Sequence, residues 1–140
     1  MYQYLLFDAD NTLLDFDHAE REALRSTLIH TPLGYNDEIF HLYHTINDQE
    51  WKRRERGETT RERLRAERFV KLYEALGYSL NSTGAEAVAE VFLGHMAEQG
   101  KLIDGAMETV SALAKKYALY IVTNATAWVQ KKRMARTPLV

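Results

Sequence analysis

Two aspartates near the start of the chain are spaced so that their carboxylates could act together, in the segment Asp8-Ala9-Asp10-Asn11-Thr12. A carboxylate that faces a cleft can attack phosphorus and form an aspartyl-phosphate. A second carboxylate can protonate the leaving oxygen and later take a proton from the attacking water. Mg²⁺ suits such a site, because it prefers oxygen ligands and can bridge a carboxylate and a phosphate. Thr12 and the N–H groups of the turn could hold phosphoryl oxygens, so the segment is suited to phosphoryl transfer.

The same residue types also occur at helix N-termini, where Asp, Asn and Thr side chains accept hydrogen bonds from the first turn. The neighbouring sequence favours the catalytic interpretation. Residues 4–7 are apolar without polar alternation, which predicts a fully buried strand directly before Asp8. A second apolar run, residues 117–122, predicts another buried strand and ends in Thr123 and Asn124. The Thr123 hydroxyl could bind the same phosphoryl oxygens.

The stretch between these two strands is helical by pattern. About four helices and no convincing strand are predicted over residues 16–100. Asn36 is a predicted N-terminal cap, and Thr59 and Thr83 each precede a Glu by three residues, which is the spacing of a capping box. Asp104 is predicted to cap one further helix before the second strand, and another helix follows that strand.

Two buried strands with a helix before the second indicate a parallel, doubly wound sheet. The predicted fold class is therefore α/β, with the helical block inserted as a cap. Ligands of such sheets bind beyond the carboxyl ends of the strands, and both polar segments follow a strand end. The predicted core domain covers residues 1–15 and 101–140, and the predicted cap domain covers residues 16–100.

The composition excludes several classes of protein. With 140 residues, 46% hydrophobic and 27% charged, the chain is neither a disordered tail nor a low-complexity segment. A formal net charge of -2 gives no reason to expect a nucleic acid or an anionic membrane as partner. The lack of cysteine excludes disulfides, thiolate catalysis and cysteine-ligated zinc. No apolar run reaches the about 18 residues of a membrane span, and the N-terminus lacks the basic segment of a signal peptide, so we expect a cytoplasmic protein.

These segments resemble the motifs of a known family, the haloacid dehalogenase-like (HAD) hydrolases. Residues 7–13 resemble the family's first motif, and residues 122–124 resemble its second. The helical stretch between them has the size and position of the family's four-helix cap, and residues 101–106 resemble the return from cap to core. The resemblance implies a Rossmann-like parallel sheet, incomplete in this chain, with a mobile cap that closes over the substrate.

The resemblance also implies a role for each matched residue. Asp8 would be the nucleophile and a Mg²⁺ ligand. Asp10 would be the general acid and base, with its main-chain carbonyl on the metal. Thr123 would bind the transferring phosphoryl group, with support from Asn124. The acidic residue at position 10 also favours phosphate esters over halogenated acids, because true dehalogenases lack an acid at that position.

Further features resemble one subgroup, the YjjG-type pyrimidine 5'-nucleotidases. They are Asn11, where most HAD hydrolases carry Gly, together with residues 14–17 and 129–133. This resemblance implies magnesium-dependent hydrolysis of a small-molecule phosphate ester, namely a pyrimidine nucleoside 5'-monophosphate. The alternative is a HAD phosphatase for another small phosphate, such as a sugar phosphate or phosphoglycolate.

Two family motifs have no counterpart before the chain ends at Val140. They are a Lys or Arg that steadies the phosphate and an acidic pair that completes the Mg²⁺ site. Lys131, Lys132 and Arg133 follow the second strand too closely to be the first of these, and they are predicted to form the solvated face of a helix. We therefore expect a fragment or truncated product that is inactive alone, and a product that only binds is a third alternative.

The basic stretch 51–68 has eight Lys and Arg against four Glu. We predict a solvated helix surface with ion pairs there, rather than a patch that binds nucleotide or nucleic acid. His41 and His44 lack the pattern of a zinc site, so surface or packing roles are expected. Aromatic side chains such as Tyr43 and Phe69 are predicted to pack between the helices.

Overall fold

The computed structural model describes residues 3–139. Within them, six helices and two strands follow one another in the order β1 (Tyr4–Asp8), α1 (Phe16–Leu28), α2 (Asp37–Glu55), α3 (Arg61–Ala75), α4 (Ser82–Ala97), α5 (Ala106–Ala114), β2 (Ala118–Val122) and α6 (Ala127–Ala135). This order confirms the predicted α/β class. None of these helices combines the length and the apolar character that crossing a membrane requires.

The two strands pair in parallel, in register from Tyr4 opposite Ala118 to Asp8 opposite Val122. Parallel neighbours need a crossover connection, and here the crossover contains α1 to α5. The carboxyl ends of both strands therefore lie at the same edge of the sheet. This confirms the parallel arrangement predicted from the order of the elements.

The prediction of fully buried strands is wrong for residues 3–139, because among them only one face of the sheet is covered. Leu6 and Tyr120 are 63% and 56% exposed, and the rings of Tyr4 and Tyr120 meet edge to face with centroids 6.3 Å apart. On the opposite face, Phe7 and Leu119 line an apolar pocket beside α5. Side chains alternate between the two faces of a strand. An apolar run therefore specifies two apolar faces, but each face is buried only where another layer covers it.

The chain divides into two compact units. Unit 1 consists of Met1–Glu22 and Met96–Val140 and contains the sheet, α5 and α6. Unit 2 consists of Ala23–His95 and contains α2 and α3. The assignment of a core domain and a cap domain stays a prediction.

The sequence predicts the caps of α2 and α3 with unequal success. Asn36 accepts a hydrogen bond from an N–H group of the first turn of α2 at 2.8 Å, as predicted. The cap of α3 is Thr60, which accepts the Arg63 N–H at 3.2 Å, so the prediction of Thr59 is wrong by one residue. The Thr59 hydroxyl instead donates to a carboxylate oxygen of Glu67, 3.4 Å away.

Two further predicted caps are wrong. Asn81 accepts the Gly84 N–H at 2.7 Å, so Thr83 lies inside α4 rather than before it. The helix α5 begins after Gly105, which has a left-handed φ of 84°, and no side chain caps it, so Asp104 does not have the predicted role. The preceding loop decides where the chain enters a helix, and a local pattern locates that point only to within a residue or two.

Unit 2 has an aromatic core that encloses an arginine. The rings of Tyr43, Phe69 and Phe92 have centroids 5.5 to 5.7 Å apart. The guanidinium of Arg68 lies 5.0 to 5.8 Å from these three centroids, and it donates to Asn47 Oδ1 at 3.0 Å. The predicted aromatic packing is confirmed. Arg68 is buried, so it does not belong to the solvated surface predicted for the basic stretch.

Candidate active site

A tight turn follows β1 and positions the first candidate residues. The Ala9 carbonyl accepts hydrogen bonds from the N–H groups of Thr12, Leu13 and Leu14, at 3.3, 2.9 and 2.9 Å. Asn11 has a φ of 58°, in the left-handed region that Asn tolerates better than most residues. A Gly would suit the same backbone, so Asn11 stands at a position where the turn restricts the residue type.

Asp8 is the last residue of β1, and its side chain is open to solvent. Its Oδ2 accepts a hydrogen bond from the Thr12 hydroxyl at 3.4 Å, the one hydrogen bond of this carboxylate among the described residues. A pocket of about 260 Å³ lies beside it and is also lined by Thr123 and Asn124, whereas Asp10 and Thr12 lie outside its lining. The ends of the two strands thus share a pocket, and the exposed residue Asp8 is part of its lining.

The carboxylate of Asp10 is held through both of its oxygens. Its Oδ1 accepts a hydrogen bond from Arg133 Nη1 at 2.6 Å, and its Oδ2 accepts one from Gln130 Nε2 at 3.2 Å. The Arg133 side chain is 1% exposed and the Asp10 side chain 26% exposed. The two candidate carboxylates therefore have different environments, since that of Asp8 is open and that of Asp10 is engaged.

Gln130 also links Asp10 to the end of β2. Its Nε2 donates to Thr123 Oγ1 at 3.1 Å, and the same oxygen accepts the Ala125 N–H at 3.2 Å. Asp10 and Thr123, which are far apart in the chain, therefore share one donor group. The structure brings the two polar segments together as expected for neighbouring parallel strands.

Gln130 and Arg133 are the residues of this cluster that the sequence analysis does not identify. The prediction that Arg133 lies on a solvated helix face is wrong, because only Lys131 and Lys132 of that basic run are exposed. The buried residues of α6 are Val129, Gln130 and Arg133, whose spacing places them on one side of the helix. The sequence contains a signal for this, because the apolar Val129 indicates the buried side of α6 and the helical period places Gln130 and Arg133 on that side.

Two oxygen donors at the end of β1 fit a magnesium ion. The Asp8 carboxylate is accessible, and the main-chain carbonyl of Asp10 is not an acceptor in any hydrogen bond of the turn. Both carboxylate oxygens of Asp10 accept a hydrogen bond, whereas its main-chain carbonyl accepts none in the turn and is open to a metal. No cluster of three His, Cys, Asp or Glu side chains that could hold a metal occurs within residues 3–139. Mg²⁺ commonly takes only one or two carboxylates and completes its shell with water and phosphate oxygens.

The sequence matches a family model and several curated proteins. The model, described as haloacid dehalogenase-like hydrolase, matches residues 2–138. YfnB of Bacillus subtilis, named as a HAD-hydrolase, is 37% identical over 134 residues, which are 95% of this chain and 55% of that protein. PynA of Streptococcus pneumoniae, named pyrimidine 5'-nucleotidase, is 31% identical over 140 residues, 99% of this chain and 58% of that protein. YjjG of Escherichia coli carries the same name and is 27% identical over 138 residues, again 99% of this chain and 58% of that protein. The chain therefore spans little more than half the length of these relatives.

Solved structures share the fold. A crystal structure of YfnB, which is described as bound to magnesium and as revealing interdomain movement, has a TM-score of 0.89 at 34% identity and covers 96% of this chain and 57% of its own. A dehalogenase structure at 16% identity has a TM-score of 0.62 and covers 99% of this chain and 58% of its own. The expected HAD-type fold is thereby confirmed. Because the family model spans nearly every residue and the relatives match over the same length, this chain belongs to the haloacid dehalogenase-like hydrolases.

Proposed function

We propose that this chain carries the site of a magnesium-dependent phosphatase, with Asp8 as the nucleophile and Asp10 as the general acid and base. The contrast between the two carboxylates carries this proposal. Asp8 is accessible beside a pocket, whereas Asp10 is held by Arg133 and Gln130. A nucleophile must be free to approach phosphorus, whereas a carboxyl group that transfers protons must be held in a fixed orientation.

In the first half of the reaction, a carboxylate oxygen of Asp8 forms a bond to phosphorus while the bond from phosphorus to the ester oxygen breaks. The protonated carboxyl of Asp10 gives its proton to the departing oxygen, so the alcohol leaves uncharged. Thr123, supported by Asn124, donates to a phosphoryl oxygen. Thr12 was expected on the phosphate, but its hydroxyl donates to Asp8 Oδ2 in the structure. We therefore assign it to orienting the nucleophile.

In the second half, water gives a proton to the Asp10 carboxylate as its oxygen attacks the phosphorus of the aspartyl-phosphate. The bond between Asp8 and phosphorus breaks, which releases inorganic phosphate and restores both side chains. Each carboxylate oxygen has two lone pairs. Asp10 can therefore carry the proton while its bonds from Arg133 and Gln130 persist.

The magnesium ion would be held by the Asp8 carboxylate and the main-chain carbonyl of Asp10. When bound, it draws charge away from the phosphoryl oxygens. The YfnB structure described as bound to magnesium supports this assignment. We retain the division into a core of residues 1–15 and 101–140 and a helical cap of residues 16–100 as part of the proposal.

The proposed substrates are pyrimidine nucleoside 5'-monophosphates. Two relatives, PynA and YjjG, are named pyrimidine 5'-nucleotidases, at 31% and 27% identity. Asn11, in the left-handed turn after β1, is one of the features that resemble that subgroup, together with residues 14–17 and 129–133. A cytoplasmic location would suit such a substrate.

The test of the nucleophile uses the purified chain of 140 residues with Mg²⁺ and beryllofluoride, which adds to a nucleophilic carboxylate in place of a phosphoryl group. We expect a bound signal in the fluorine NMR spectrum that disappears in Asp8→Asn. The signal should persist in Asp104→Asn, because Asp104 is an exposed carboxylate of the same unit. An adduct that persists in Asp8→Asn would refute the assignment of Asp8.

The substrate class is tested by phosphate release in the presence of Mg²⁺, measured on a form of the protein extended to the length of its relatives, because these 140 residues alone are expected to be inactive. Uridine and cytidine 5'-monophosphates are compared with adenosine 5'-monophosphate, a hexose phosphate and phosphoglycolate. The proposal requires the pyrimidine nucleotides to react fastest. Faster release from a sugar phosphate or from phosphoglycolate would replace it with the alternative small-phosphate substrate.

A further inference from the structure

The amide group of Gln130 can have only one orientation. Its Nε2 faces Asp10 Oδ2 at 3.2 Å, and its Oε1 faces Arg133 Nη1 at 2.8 Å. A guanidinium only donates hydrogen bonds, so Arg133 must face the oxygen of the amide. The nitrogen of the amide therefore faces Asp10.

This orientation decides the polarity of the Thr123 hydroxyl. Gln130 Nε2 donates to Thr123 Oγ1 at 3.1 Å, and the Ala125 N–H donates to the same oxygen at 3.2 Å. A hydroxyl group has two acceptor lone pairs and one proton to donate. Because both lone pairs are taken, the proton of Thr123 is left for another acceptor. Thr123 lines the pocket beside Asp8, where a phosphoryl oxygen would be that acceptor.

Arg133 anchors this arrangement. Its Nε donates to the Gln99 carbonyl at 2.9 Å, while Nη1 donates to both Asp10 and Gln130. Its Nη2 is buried and has no hydrogen-bond partner among the described residues. Burying a guanidinium with one unsatisfied nitrogen costs free energy of desolvation. Apolar side chains of similar volume often stabilise a protein interior equally well or better. Its placement is better explained by what it holds than by stability alone.

We propose that Gln130, anchored by Arg133, is a positioning residue that presents the Thr123 hydroxyl as a hydrogen-bond donor to the phosphoryl group and at the same time orients the Asp10 carboxylate. The inference rests on the proposed function above. Gln130 touches neither the reacting phosphorus nor the leaving group in this scheme. It acts through Thr123 and Asp10.

The test is a double-mutant cycle on the affinity of the beryllofluoride adduct at Asp8, measured by fluorine NMR with Mg²⁺ present. Thr123→Val should weaken the adduct by about tenfold or more in the unaltered chain, because it removes a hydrogen bond to a charged group. In a Gln130→Met background the same substitution should change the affinity by less than about threefold, because the hydroxyl is then no longer directed at the adduct. Thr123→Ser keeps the hydroxyl and should weaken the adduct less than Thr123→Val does.

Gln130→Glu provides a second variant of similar size. Its carboxylate accepts rather than donates, so it would draw the Thr123 proton away from the pocket and should also weaken the adduct by about tenfold or more. Lys131→Met, an exposed change on the same helix, is the matched control and should have no effect.

The outcomes separate the two proposals. If the unaltered chain forms the adduct and Thr123→Val weakens it equally with and without Gln130→Met, Gln130 has only a structural role and the positioning inference is overturned. If an adduct forms and persists in Asp8→Asn, the assignment of Asp8 fails and the inference that depends on it fails with it. If Thr123→Val weakens the adduct only while Gln130 is present, the inference is supported.

Discussion

Replacing Arg133 by Met should destabilise unit 1 by about 2 kcal/mol. The change removes hydrogen bonds to Asp10 Oδ1 at 2.6 Å, to Gln130 Oε1 at 2.8 Å and to the Gln99 carbonyl at 2.9 Å. Removing one partner of a fully buried ion pair costs about 3–5 kcal/mol. Here the Asp10 side chain remains 26% exposed, so water can solvate it in part. Met also removes the unsatisfied Nη2, which lowers the expected cost to about 2 kcal/mol.

The free energy of unfolding can be followed by the fluorescence of Trp128, which lies on the same helix and is 42% exposed. A Trp51→Phe background leaves Trp128 as the single tryptophan of the chain, so urea titrations report on unit 1. Lys131→Met is the matched control, because exposed substitutions usually change stability by less than about 0.5 kcal/mol.

A double-mutant cycle with Asp10→Asn isolates the ion pair from the other contacts of Arg133. Residues in direct contact within one network typically show coupling energies of about 0.5–3 kcal/mol, and we expect about 1–2 kcal/mol for this pair. A coupling energy below about 0.5 kcal/mol, or an Arg133→Met variant as stable as the Lys131→Met control, would refute the reasoning that Arg133 holds Asp10 in place.

Three further perturbations test other features of the fold. Burial alone would raise the pKa of Glu50, but its hydrogen bonds and ion pairs with Lys71 and Arg53 outweigh burial and lower the pKa below its ordinary value of 4.5. The ionised carboxylate therefore stabilises the folded state above about pH 4.5, and this contribution is lost as the pH falls through the lower folded pKa. Urea titrations at decreasing pH should show a steeper loss of stability in the unaltered chain than in Glu50→Gln. Arg68→Met should destabilise unit 2 by roughly 1–3 kcal/mol in urea, because it removes contacts with three aromatic rings and one hydrogen bond. Asn11→Ala should cost about 1 kcal/mol more than Asn11→Gly in thermal or urea unfolding. Ala is strained at a φ of 58°, whereas both variants lose the hydrogen bond that Asn11 Oδ1 accepts from the Phe16 N–H at 3.1 Å.

Each of these has an outcome that contradicts it. An acid unfolding profile that Glu50→Gln leaves unchanged would mean that the ion pairs do not favour the ionised carboxylate. Arg63→Met, at an exposed position of the same helix, is the control for Arg68, and equal losses in the two variants would show that the aromatic enclosure contributes nothing. If Ala and Gly at position 11 lower the free energy of unfolding equally, the left-handed φ of Asn11 does not restrict the residue type there.

Much of the architecture follows from local pattern. The two apolar runs lie within a residue of the observed strands, and the intervening helix predicts their parallel pairing because such connections are needed between parallel neighbours. Parallel pairing in turn brings Asp8 and Thr123 to one edge, where they line the same pocket. The caps at Thr60 and Asn81 lie one or two residues from the predicted ones, since a pattern bounds a helix end without locating it.

The residue types and their spacing were thus sufficient to locate the candidate carboxylates, the strands that carry them and the kind of chemistry they suit. Tertiary structure alone decided that the sheet has one exposed face, that Arg133 turns inward while Lys131 and Lys132 remain exposed, and that Asp10 is engaged. The burial of Arg133 depends on residues distant in the chain, because its side chain donates hydrogen bonds to Asp10 and to the Gln99 carbonyl. From its charge, a local pattern predicts that Arg133 is exposed to solvent. Its burial becomes possible because the fold brings the carboxylate of Asp10 beside it as an ion-pair partner.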